Sequence, residues 1–274
     1  MKKAAFYTLG CKVNQYETEA MAELFADSGY EIKEFTEVAD VYVINTCSVT
    51  NMGDRKSRQI IRRAKKLNPN AVIAVTGCYA QTAPDEVLAI EGVNLVLGTK
   101  DRKNIVTLVE ELNTESNINH VSDIMSNHEF EELQIKQYSN RTRAFIKIQE
   151  GCNQFCSYCI IPYARGPVRS RAKDDVVREI KELAHNGFKE IILVGIHVAS
   201  YGVDLGNTTL ESLIMDVDKI DGVERIRLSS IEPMTLNQEF IDSIKDSKKL
   251  CHHFHISLQS GCDETLKRMN RKYT

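Results

Sequence analysis

The sequence predicts an α/β protein in which an open parallel sheet domain is followed by a partial (β/α) barrel. Two observations lead to this fold class. Short apolar runs rich in β-branched residues alternate with helical patterns up to residue 112, and the same alternation starts again near residue 143. Strands that alternate with helices are joined by right-handed crossovers, which produce parallel sheets covered by helices.

The predicted N-terminal domain covers residues 1–113 and contains four buried strands. These strands are KAAFYTL (3–9), VYVIN (41–45), AVIAVT (71–76) and NLVLG (94–98). Each strand is followed by a turn and then by a pattern of helical period, over residues 15–28, 52–67, 80–90 and 102–112. The runs are apolar at most positions, as expected of strands that are buried in a parallel sheet.

A polar, aperiodic stretch over residues 114–140 predicts a linker between two domains. The second domain, residues 141–274, repeats the alternation in four (β/α) units. Its predicted strands are RAFIKIQ (143–149), EIILVG (190–195), ERIRLS (224–229) and HFHISL (253–258), and its predicted helices cover 174–187, 209–220 and 235–247. Four units cannot close a barrel, so we expect this domain to be incomplete.

The composition is that of a globular protein in water. The 274 residues carry a formal charge of −3, so any basic surface must be local. The apolar run after the first lysines is too short for a signal peptide, and no segment approaches the roughly 20 apolar residues of a membrane helix. We therefore expect a cytoplasmic protein with no membrane partner, whose eight cysteines serve metal or redox chemistry rather than disulfides.

Three cysteines occupy the same position in three predicted βα units. Cys11, Cys47 and Cys78, the N-terminal triad, each follow a strand in the sequences LGC, NTC and TGC. The carboxyl ends of parallel strands share one edge of the sheet, so we expect these thiols to converge in space. Three unrelated buried cysteines are the alternative, since free cysteine is common in protein cores. The threefold recurrence favours a common site.

A second group of three cysteines follows the first strand of the second domain. The segment GCNQFCSYC contains Cys152, Cys156 and Cys159, the loop triad, at the barrel end where active sites lie. A structural zinc site needs four ligands, and a disulfide would leave one thiol unpaired in a reducing compartment. An iron–sulfur cube held by three thiolates fits better, because one iron then stays open to a substrate.

The spacing C-x3-C-x2-C, with an aromatic residue before the last cysteine, resembles the signature of radical S-adenosylmethionine enzymes. The segments TLGCKVNQYETE, VINTCSVT, VTGCYAQ, EGCNQFCSYCIIPYARGPVRSR, SSIEP and HISLQSGCDETLKRMNR are similar to those of the methylthiotransferases in that family. The resemblance implies that the loop triad holds a 4Fe–4S cluster whose open iron chelates S-adenosylmethionine, with Tyr158 near the adenine. It also implies a second 4Fe–4S cluster on the N-terminal triad, which would carry the sulfur that is transferred.

Among the methylthiotransferases, the likeness is greatest to the branch that acts on threonylcarbamoyladenosine in tRNA, notably in YTLGCKVNQYETEAM and GIHVASYG. This resemblance implies transfer of a methylthio group to carbon 2 of N6-threonylcarbamoyladenosine beside the anticodon. That carbon carries an unreactive C–H bond, so a cofactor must supply radical chemistry. Branches that modify isopentenyladenosine in tRNA, or an aspartate of a ribosomal protein, are the alternatives.

The resemblance also implies partners and missing parts. It implies a monomer that binds tRNA and takes electrons from a donor such as flavodoxin or ferredoxin. We expect the rest of the barrel and the C-terminal RNA-binding domain of such enzymes to be absent from this chain. An alternative of another class is a non-catalytic iron–sulfur electron carrier or an RNA-binding module. An electron carrier normally closes each cluster with a fourth cysteine, and both triads stop at three, which favours an enzyme.

Two basic segments are candidates for contact with tRNA phosphates. One helix face in SRQIIRRAKK and one segment after the loop triad carry the residues Arg55, Arg58, Arg62, Lys65, Arg165, Arg169 and Arg171. The first four recur at helical spacing, for which an ordinary solvated face is the alternative. The last three could instead fix their own loop.

Three further residues follow predicted strands at the catalytic end of the second domain. Glu232, Gln259 and Ser260 are candidate contacts to polar groups of S-adenosylmethionine, and turn residues are the alternative. Cys251 and Cys262 lack cluster spacing and are predicted to be structural thiols.

Overall fold

The computed structural model describes residues 1–48, 51–112, 115–135 and 142–274, with residues 51 and 52 described in their backbone only. The chain forms two compact units. The first comprises Met1–Asn127, Glu131–Leu133 and Tyr163–Arg165, and the second comprises His128–Phe130, Gln134–Pro162 and Gly166–Thr274. Parts of the predicted linker, residues 114 and 136–140, lie outside the described residues.

Six parallel strands form the sheet of the first unit. They are β1 (Lys3–Thr8), β2 (Glu31–Lys33), β3 (Val41–Thr46), β4 (Val72–Gly77), β5 (Leu95–Leu97) and β6 (Ile118–His120). Their order across the sheet is β2-β1-β3-β4-β5-β6. The four predicted strands are confirmed as β1, β3, β4 and β5, and every neighbouring pair is parallel as predicted.

The helices of the first unit cover both faces of this sheet. They are α1 (Lys12–Asp27), α2 (Asn51–Leu67), α3 (Cys78–Thr82), α4 (Pro84–Leu88) and α5 (Ile105–Glu110). The central strand β3 is buried along its whole length. Its Tyr42 and Ile44 belong to the apolar cluster that contains Ile61 of α2. Its Val43 faces the other way, into the cluster of Phe25 from α1, because successive side chains of a strand alternate.

Three features of the first unit differ from the predicted elements. The strands β2 and β6 have three residues each and are partly or fully exposed, so they lack the apolar run that marks a buried strand. β6 lies in the predicted linker and carries the first unit beyond residue 113. The helix predicted over 80–90 is broken at Ala83, because a residue before proline disfavours the helical backbone.

Four strands form the sheet of the second unit, in the order β10-β9-β7-β8. They are β7 (Arg143–Glu150), β8 (Arg169–Ser170), β9 (Glu190–Gly195) and β10 (Arg225–Leu228), with only β8 antiparallel to its neighbour. The helices from here on are α6 (Ile161–Arg165), α7 (Lys173–His185), α8 (Leu210–Asp218), α9 (Gln238–Ile244) and α10 (Asp263–Arg268). Within the described ranges, no helix combines the length and apolarity that a bilayer span requires.

The predicted fourth strand of the second unit, HFHISL, is wrong. Within this segment an isolated parallel bridge, between Ile231 and Ile256, stands where a continuous ladder is expected. Ile256 and Leu258 in this segment are 42% and 57% exposed. Without a buried face, nothing holds the register of the alternating side chains, so the segment runs as a loop towards α10. The other three predicted strands are confirmed as β7, β9 and β10.

Candidate metal centres

The N-terminal triad lies along one edge of the first sheet. Cys11 follows β1, Cys47 follows β3 and Cys78 follows β4, and β3 lies between the other two strands. A Cβ atom added to Gly10 would stand 3.1 Å from Sγ of Cys47, so the turn after β1 closely approaches the end of β3. The structure therefore brings the three thiols to one edge of the sheet. Their role as cluster ligands stays a prediction.

Asn14 of α1 ties together the strand ends that carry this triad. Its side-chain nitrogen donates to the carbonyl oxygens of Leu9 at 2.7 Å and Thr46 at 3.0 Å. Its Oδ1 accepts a hydrogen bond from the Cys11 thiol at 3.6 Å. Asn14 is not among the residues predicted from the sequence, although its position in the helical pattern indicates a buried polar side chain. It lies about two helical turns before Met21 on the same buried face, where a polar side chain needs a partner.

A buried arginine also contacts the N-terminal triad. The side chain of Arg165 is fully buried, and its Nε donates to Sγ of Cys78 at 3.2 Å. Its Nη1 donates to the Glu17 carboxylate at 2.6 Å, and its Nη2 donates to Oδ1 of Asn14 at 2.5 Å. A phosphate contact and a structural role are the two predicted possibilities for Arg165. Complete burial excludes the phosphate contact.

The two arginines predicted beside Arg165 are buried as well, and the phosphate contact is wrong for them too. Nη1 of Arg169 donates to the carbonyl of Pro167 at 3.0 Å, and Arg171 forms an ion pair with Glu179. Arginine is rarely buried unless it is paired, so a cluster of arginines in a sequence suggests a surface. These two side chains instead fix the segment around β8.

The electrostatics of Cys78 show what the N-terminal triad requires. Burial raises the pKa of this thiol to about 11; the neighbouring Cys11 and Cys47 act in the same direction, and Arg165 opposes the shift. A thiolate is therefore stable here only beside compensating positive charge. Metal ions bind cysteine as the thiolate and supply such charge. The donor set thus fits an iron cluster.

The loop triad begins in a turn that only glycine can form. Gly151, directly after β7, has a φ of +73°, and a Cβ atom there would stand 1.9 Å from the carbonyl oxygen of Pro167. The backbone N–H of Cys152 donates to the carbonyl of Gly166 at 3.1 Å. The start of the loop is thus packed against the backbone of residues 166–167.

Residues in α10 and the turn after it hold the middle of this loop. The N–H and the hydroxyl of Ser157 donate to the carbonyls of Met269 and Arg268, both at 3.1 Å. The side chain of Asn270 donates to the carbonyl of Phe155 at 2.8 Å. Phe155 has a φ of +47°, a left-handed conformation that costs a non-glycine residue about 1 kcal/mol or more. These hydrogen bonds stabilise that unfavourable backbone.

Cys156, the buried member of the loop triad, contacts an arginine that is not among the predicted residues. Nη1 of Arg271 donates to Sγ of Cys156 at 3.1 Å, and its Nη2 donates to the carboxylate of Glu232 at 2.6 Å. Nε2 of His197 lies 3.3 Å from the same carboxylate. Burial acts to raise the pKa of Glu232. The hydrogen bond with His197 and the charges of His197 and Arg271 outweigh burial, so the pKa of Glu232 lies below its usual value.

Family models match both regions of the chain that carry the two triads. A family model described as "Uncharacterized protein family UPF0004" matches residues 3–98, and one described as "Radical SAM superfamily" matches residues 146–274. The chain is 51% identical to the threonylcarbamoyladenosine tRNA methylthiotransferase MtaB of Bacillus subtilis (strain 168), over 100% of this chain and 61% of that protein. The chain belongs to the radical S-adenosylmethionine methylthiotransferase family.

Other similar proteins span two branches of this methylthiotransferase family. MtaB of Aquifex aeolicus (strain VF5) is 43% identical over 99% of this chain and 66% of its own length. A tRNA-2-methylthio-N(6)-dimethylallyladenosine synthase of Thermoanaerobacter pseudethanolicus (strain ATCC 33223 / 39E) is 38% identical over 97% of this chain and 58% of its own length. The chain thus spans about three-fifths of the length of the relatives it matches.

A solved structure shares the fold. The radical S-adenosylmethionine methyltransferase TsrM from Kitasatospora setae, with cobalamin and a [4Fe-4S] cluster bound, superposes with a TM-score of 0.65 at 16% identity. The match covers 100% of this chain and 65% of the other. This similarity shows that the two chains share a fold.

Each triad offers three thiols, the number that a 4Fe–4S cube with one open iron requires. In the described part of the chain, no three His, Cys, Asp or Glu side chains are arranged around the position of a single metal ion. In a 4Fe–4S cube each thiolate binds a different iron, so the sulfurs surround a cube rather than one ion. Three thiolates leave the fourth iron of such a cube open.

The remaining candidate contacts to S-adenosylmethionine differ in their surroundings. Tyr158 is 53% exposed, between two cysteines of the loop triad in sequence. Gln259 has a φ of +63°, and the hydroxyl of Ser260 accepts the N–H of Cys262 at 3.1 Å, both of which are turn features. Glu232 is the candidate that hydrogen bonds connect to a cysteine of the loop triad: it accepts from Arg271, which also donates to Cys156.

On the basic face of α2, two of the four predicted side chains are exposed and two form contacts within the chain. Arg55 and Arg62 are exposed. Arg58 donates to the Glu86 carboxylate at 2.9 Å, and Lys65 donates to a backbone carbonyl at 2.7 Å. The surface groove along this helix is also lined by Lys56, Arg63 and Lys66. Of the four predicted residues, Arg55 and Arg62 are thus the two that are available to a phosphate.

Proposed function

We propose that this chain is the cluster-bearing part of an enzyme that adds a methylthio group to carbon 2 of N6-threonylcarbamoyladenosine beside the anticodon in tRNA. The observation that carries the proposal is the pair of cysteine triads. The N-terminal triad follows the carboxyl ends of three parallel strands in the first unit, the loop triad follows β7 in the second unit, and each offers three thiols. A cluster held by three thiolates keeps an iron free for a substrate, which a closed electron carrier does not need.

The loop triad is proposed to hold the cluster that binds S-adenosylmethionine. Cys152, Cys156 and Cys159 would hold this 4Fe–4S cluster, which when bound would supply the electron for reductive cleavage of that cofactor. The chain itself shapes the loop through Gly151 and Asn270 and places Arg271 against Cys156. Glu232 holds that guanidinium in position, and Tyr158 offers an exposed ring beside the cysteines for the adenine.

The N-terminal triad is proposed to hold the second 4Fe–4S cluster, which supplies the sulfur. Asn14 bonds to the backbone before Cys11 and Cys47, and Arg165 bonds to Cys78. The three thiols are therefore preorganised by the first unit itself. Preorganisation of ligands by neighbouring hydrogen bonds is what a stable metal site requires.

The proposed substrate rests on the relatives. The MtaB relatives are 51% and 43% identical to this chain, whereas the dimethylallyladenosine synthase is 38% identical. Isopentenyladenosine in tRNA is therefore the second candidate substrate. Mass spectrometry of tRNA nucleosides from cells with and without the intact gene tests this choice. Loss of methylthiolated threonylcarbamoyladenosine alone supports the proposal, and loss of methylthiolated isopentenyladenosine instead contradicts it.

The proposal includes the partners and the compartment. The enzyme would work in the cytoplasm as a monomer, with tRNA as substrate and a flavodoxin or ferredoxin as electron donor. The exposed Arg55 and Arg62 of α2 supply the local positive surface that a chain of net charge −3 needs to bind RNA.

Iron analysis gives a direct test of the two proposed clusters. After anaerobic reconstitution we expect about eight irons per chain, because each 4Fe–4S cluster contributes about four. Replacing all three cysteines of either triad by alanine is expected to leave about four irons. The Cys251→Ala variant is the matched control, since this thiol lies outside both triads, and it should keep the full iron content. About four irons in the unmodified chain would contradict the two-cluster proposal.

Substitution of the exposed arginines tests the proposed tRNA surface. In the intact protein, Arg55→Ala combined with Arg62→Ala is expected to weaken tRNA binding and to lower the slope of log affinity against log salt by about 1 to 2. Lys219→Ala combined with Lys245→Ala is the matched control, because these lysines are 73% and 59% exposed on other helix ends. An equal loss in both double variants would show that α2 has no special role.

A further inference from the structure

The guanidinium of Arg165 donates a hydrogen bond to Sγ of Cys78, and it belongs to a buried network. Its Nε donates to that sulfur at 3.2 Å, and Nη1 donates to Glu17 at 2.6 Å. Both side chains of this ion pair have no exposed surface. Neither the sequence motif nor the relatives assign a role to this contact, and complete burial removes Arg165 from the phosphate contact that was one of its two predicted roles.

The same network reaches the rest of the N-terminal triad through one oxygen. Oδ1 of Asn14 accepts from Nη2 of Arg165 at 2.5 Å and from the thiol of Cys11 at 3.6 Å. The side-chain nitrogen of Asn14 holds the carbonyl of Thr46, next to Cys47. A change in the Arg165 guanidinium is therefore transmitted to all three strand ends that carry the triad.

A second buried arginine, Arg102, pairs with the same carboxylate. Nη1 of Arg102 lies 2.5 Å from Glu17, and its Nε lies 2.8 Å from Glu131. The side chain of Arg102 is also almost fully buried. Glu17 would therefore keep a cationic partner if Arg165 were replaced, which makes Arg102 a matched control within the same network.

The same arrangement recurs in the second unit. There the buried Cys156 accepts from Arg271, whose other nitrogen is held by Glu232. In each triad the arginine contacts the one cysteine that is buried, and a carboxylate holds the arginine. Two independent occurrences of a cysteine–arginine–glutamate chain indicate a common requirement of the two sites.

We propose that Arg165 is a positioning residue of the N-terminal triad, which favours cluster binding there and raises the reduction potential of the bound cluster. The inference rests on the proposed function, in which this triad holds a 4Fe–4S cluster. Hydrogen bonds to the cluster sulfurs and the net charge around them set such potentials. A fixed cation beside Cys78 stabilises the added electron, and the bonded Asn14 keeps the thiols in place.

The test isolates the N-terminal cluster in a parent variant whose loop-triad cysteines are all alanine. Arg165→Met, Arg165→Lys and Arg102→Met are compared in this parent after anaerobic reconstitution. Iron content and the reduction potential, from a dithionite titration followed by electron paramagnetic resonance, are measured. For Arg165→Met we expect about a tenfold lower ratio of reduced to oxidised cluster at a given potential, equal to a shift of about −59 mV for one electron.

The other variants decide between charge, position and general damage. Arg165→Lys keeps the charge but not the planar set of donors, so we expect a smaller negative shift, and Arg102→Met should leave the potential unchanged. Loss of iron in Arg165→Met but not in Arg102→Met would also support a positioning role. If Arg165→Met does not fold, the lysine variant decides: a potential equal to that of the parent overturns the inference.

The failure of this inference differs from the failure of the proposed function. A parent that keeps about four irons, with unchanged iron and potential in both Arg165 variants, overturns only the role of Arg165. Equal shifts in Arg165→Met and Arg102→Met would attribute the effect to the buried network as a whole and would also overturn it. A parent that retains no iron would overturn the N-terminal cluster itself, and with it both proposals.

Discussion

Replacement of Cys152, Cys156 or Cys159 by alanine in the intact protein is expected to abolish both 5′-deoxyadenosine formation and methylthiolation of tRNA. Each variant removes a thiolate from the cluster that is proposed to reduce S-adenosylmethionine, so cleavage of that cofactor cannot begin. Both products are measured by liquid chromatography after anaerobic incubation with dithionite. A loop-triad variant that still forms 5′-deoxyadenosine at the normal rate would contradict the assignment of this cluster.

Replacement of Cys11, Cys47 or Cys78 by alanine should separate the two products. These variants leave the loop triad intact, so 5′-deoxyadenosine is still expected, but the proposed sulfur site is lost and methylthiolated adenosine should disappear. Cys251→Ala is the matched control and should keep both products, because this thiol lies outside both triads. Normal methylthiolation by a Cys47 variant would show that the N-terminal triad is structural.

The second large effect is expected from Gly151→Ala. The new Cβ atom would stand 1.9 Å from the carbonyl oxygen of Pro167 at a φ of +73°, so the backbone that carries Cys152 must move. We expect a loss of about 3 kcal/mol or more in the free energy of unfolding, because both the strain and the overlap are imposed on backbone atoms. Reconstituted protein should also lose about four of its irons.

Gly187→Ala is the matched control for this prediction. Gly187 has a φ of +93°, but nothing lies within 4 Å of the position of its Cβ atom. This variant therefore has the backbone strain alone, which costs about 1 to 3 kcal/mol, and it should keep its iron. Unfolding by denaturant and iron analysis of both variants provide the comparison. Equal losses of stability, with iron retained in both, would show that the loop accommodates a side chain at residue 151.

The architecture and the two triads could be predicted from the amino-acid sequence. The alternation of apolar runs with helical patterns is a local property, so β1, β3, β4 and β5 could be predicted without tertiary contacts. Parallel strands place their carboxyl ends on one edge, which is enough to bring Cys11, Cys47 and Cys78 together. The loop triad lies within one short segment, so its spacing is visible directly.

Other elements were not predicted correctly, because their local sequence pattern is weak or misleading. The edge strands β2 and β6 are exposed or half-exposed and have no apolar run. The segment HFHISL has the alternation of a strand, yet Leu258 is 57% exposed and finds no buried face. Burial against neighbouring strands, rather than side-chain type, decides whether such a segment forms a ladder.

The surroundings of the cysteines depend on contacts that form when distant segments fold together. Arg165 stands 87 residues from Cys78 and 148 residues from Glu17 in the sequence, so no local pattern links them. Its position in a basic segment suggests a surface, because an arginine is seldom buried without a partner that holds its charge. The fold supplies that partner in Glu17 on the buried face of α1. The cysteines were thus evident from the sequence, whereas the charges that hold them arise from contacts between distant segments.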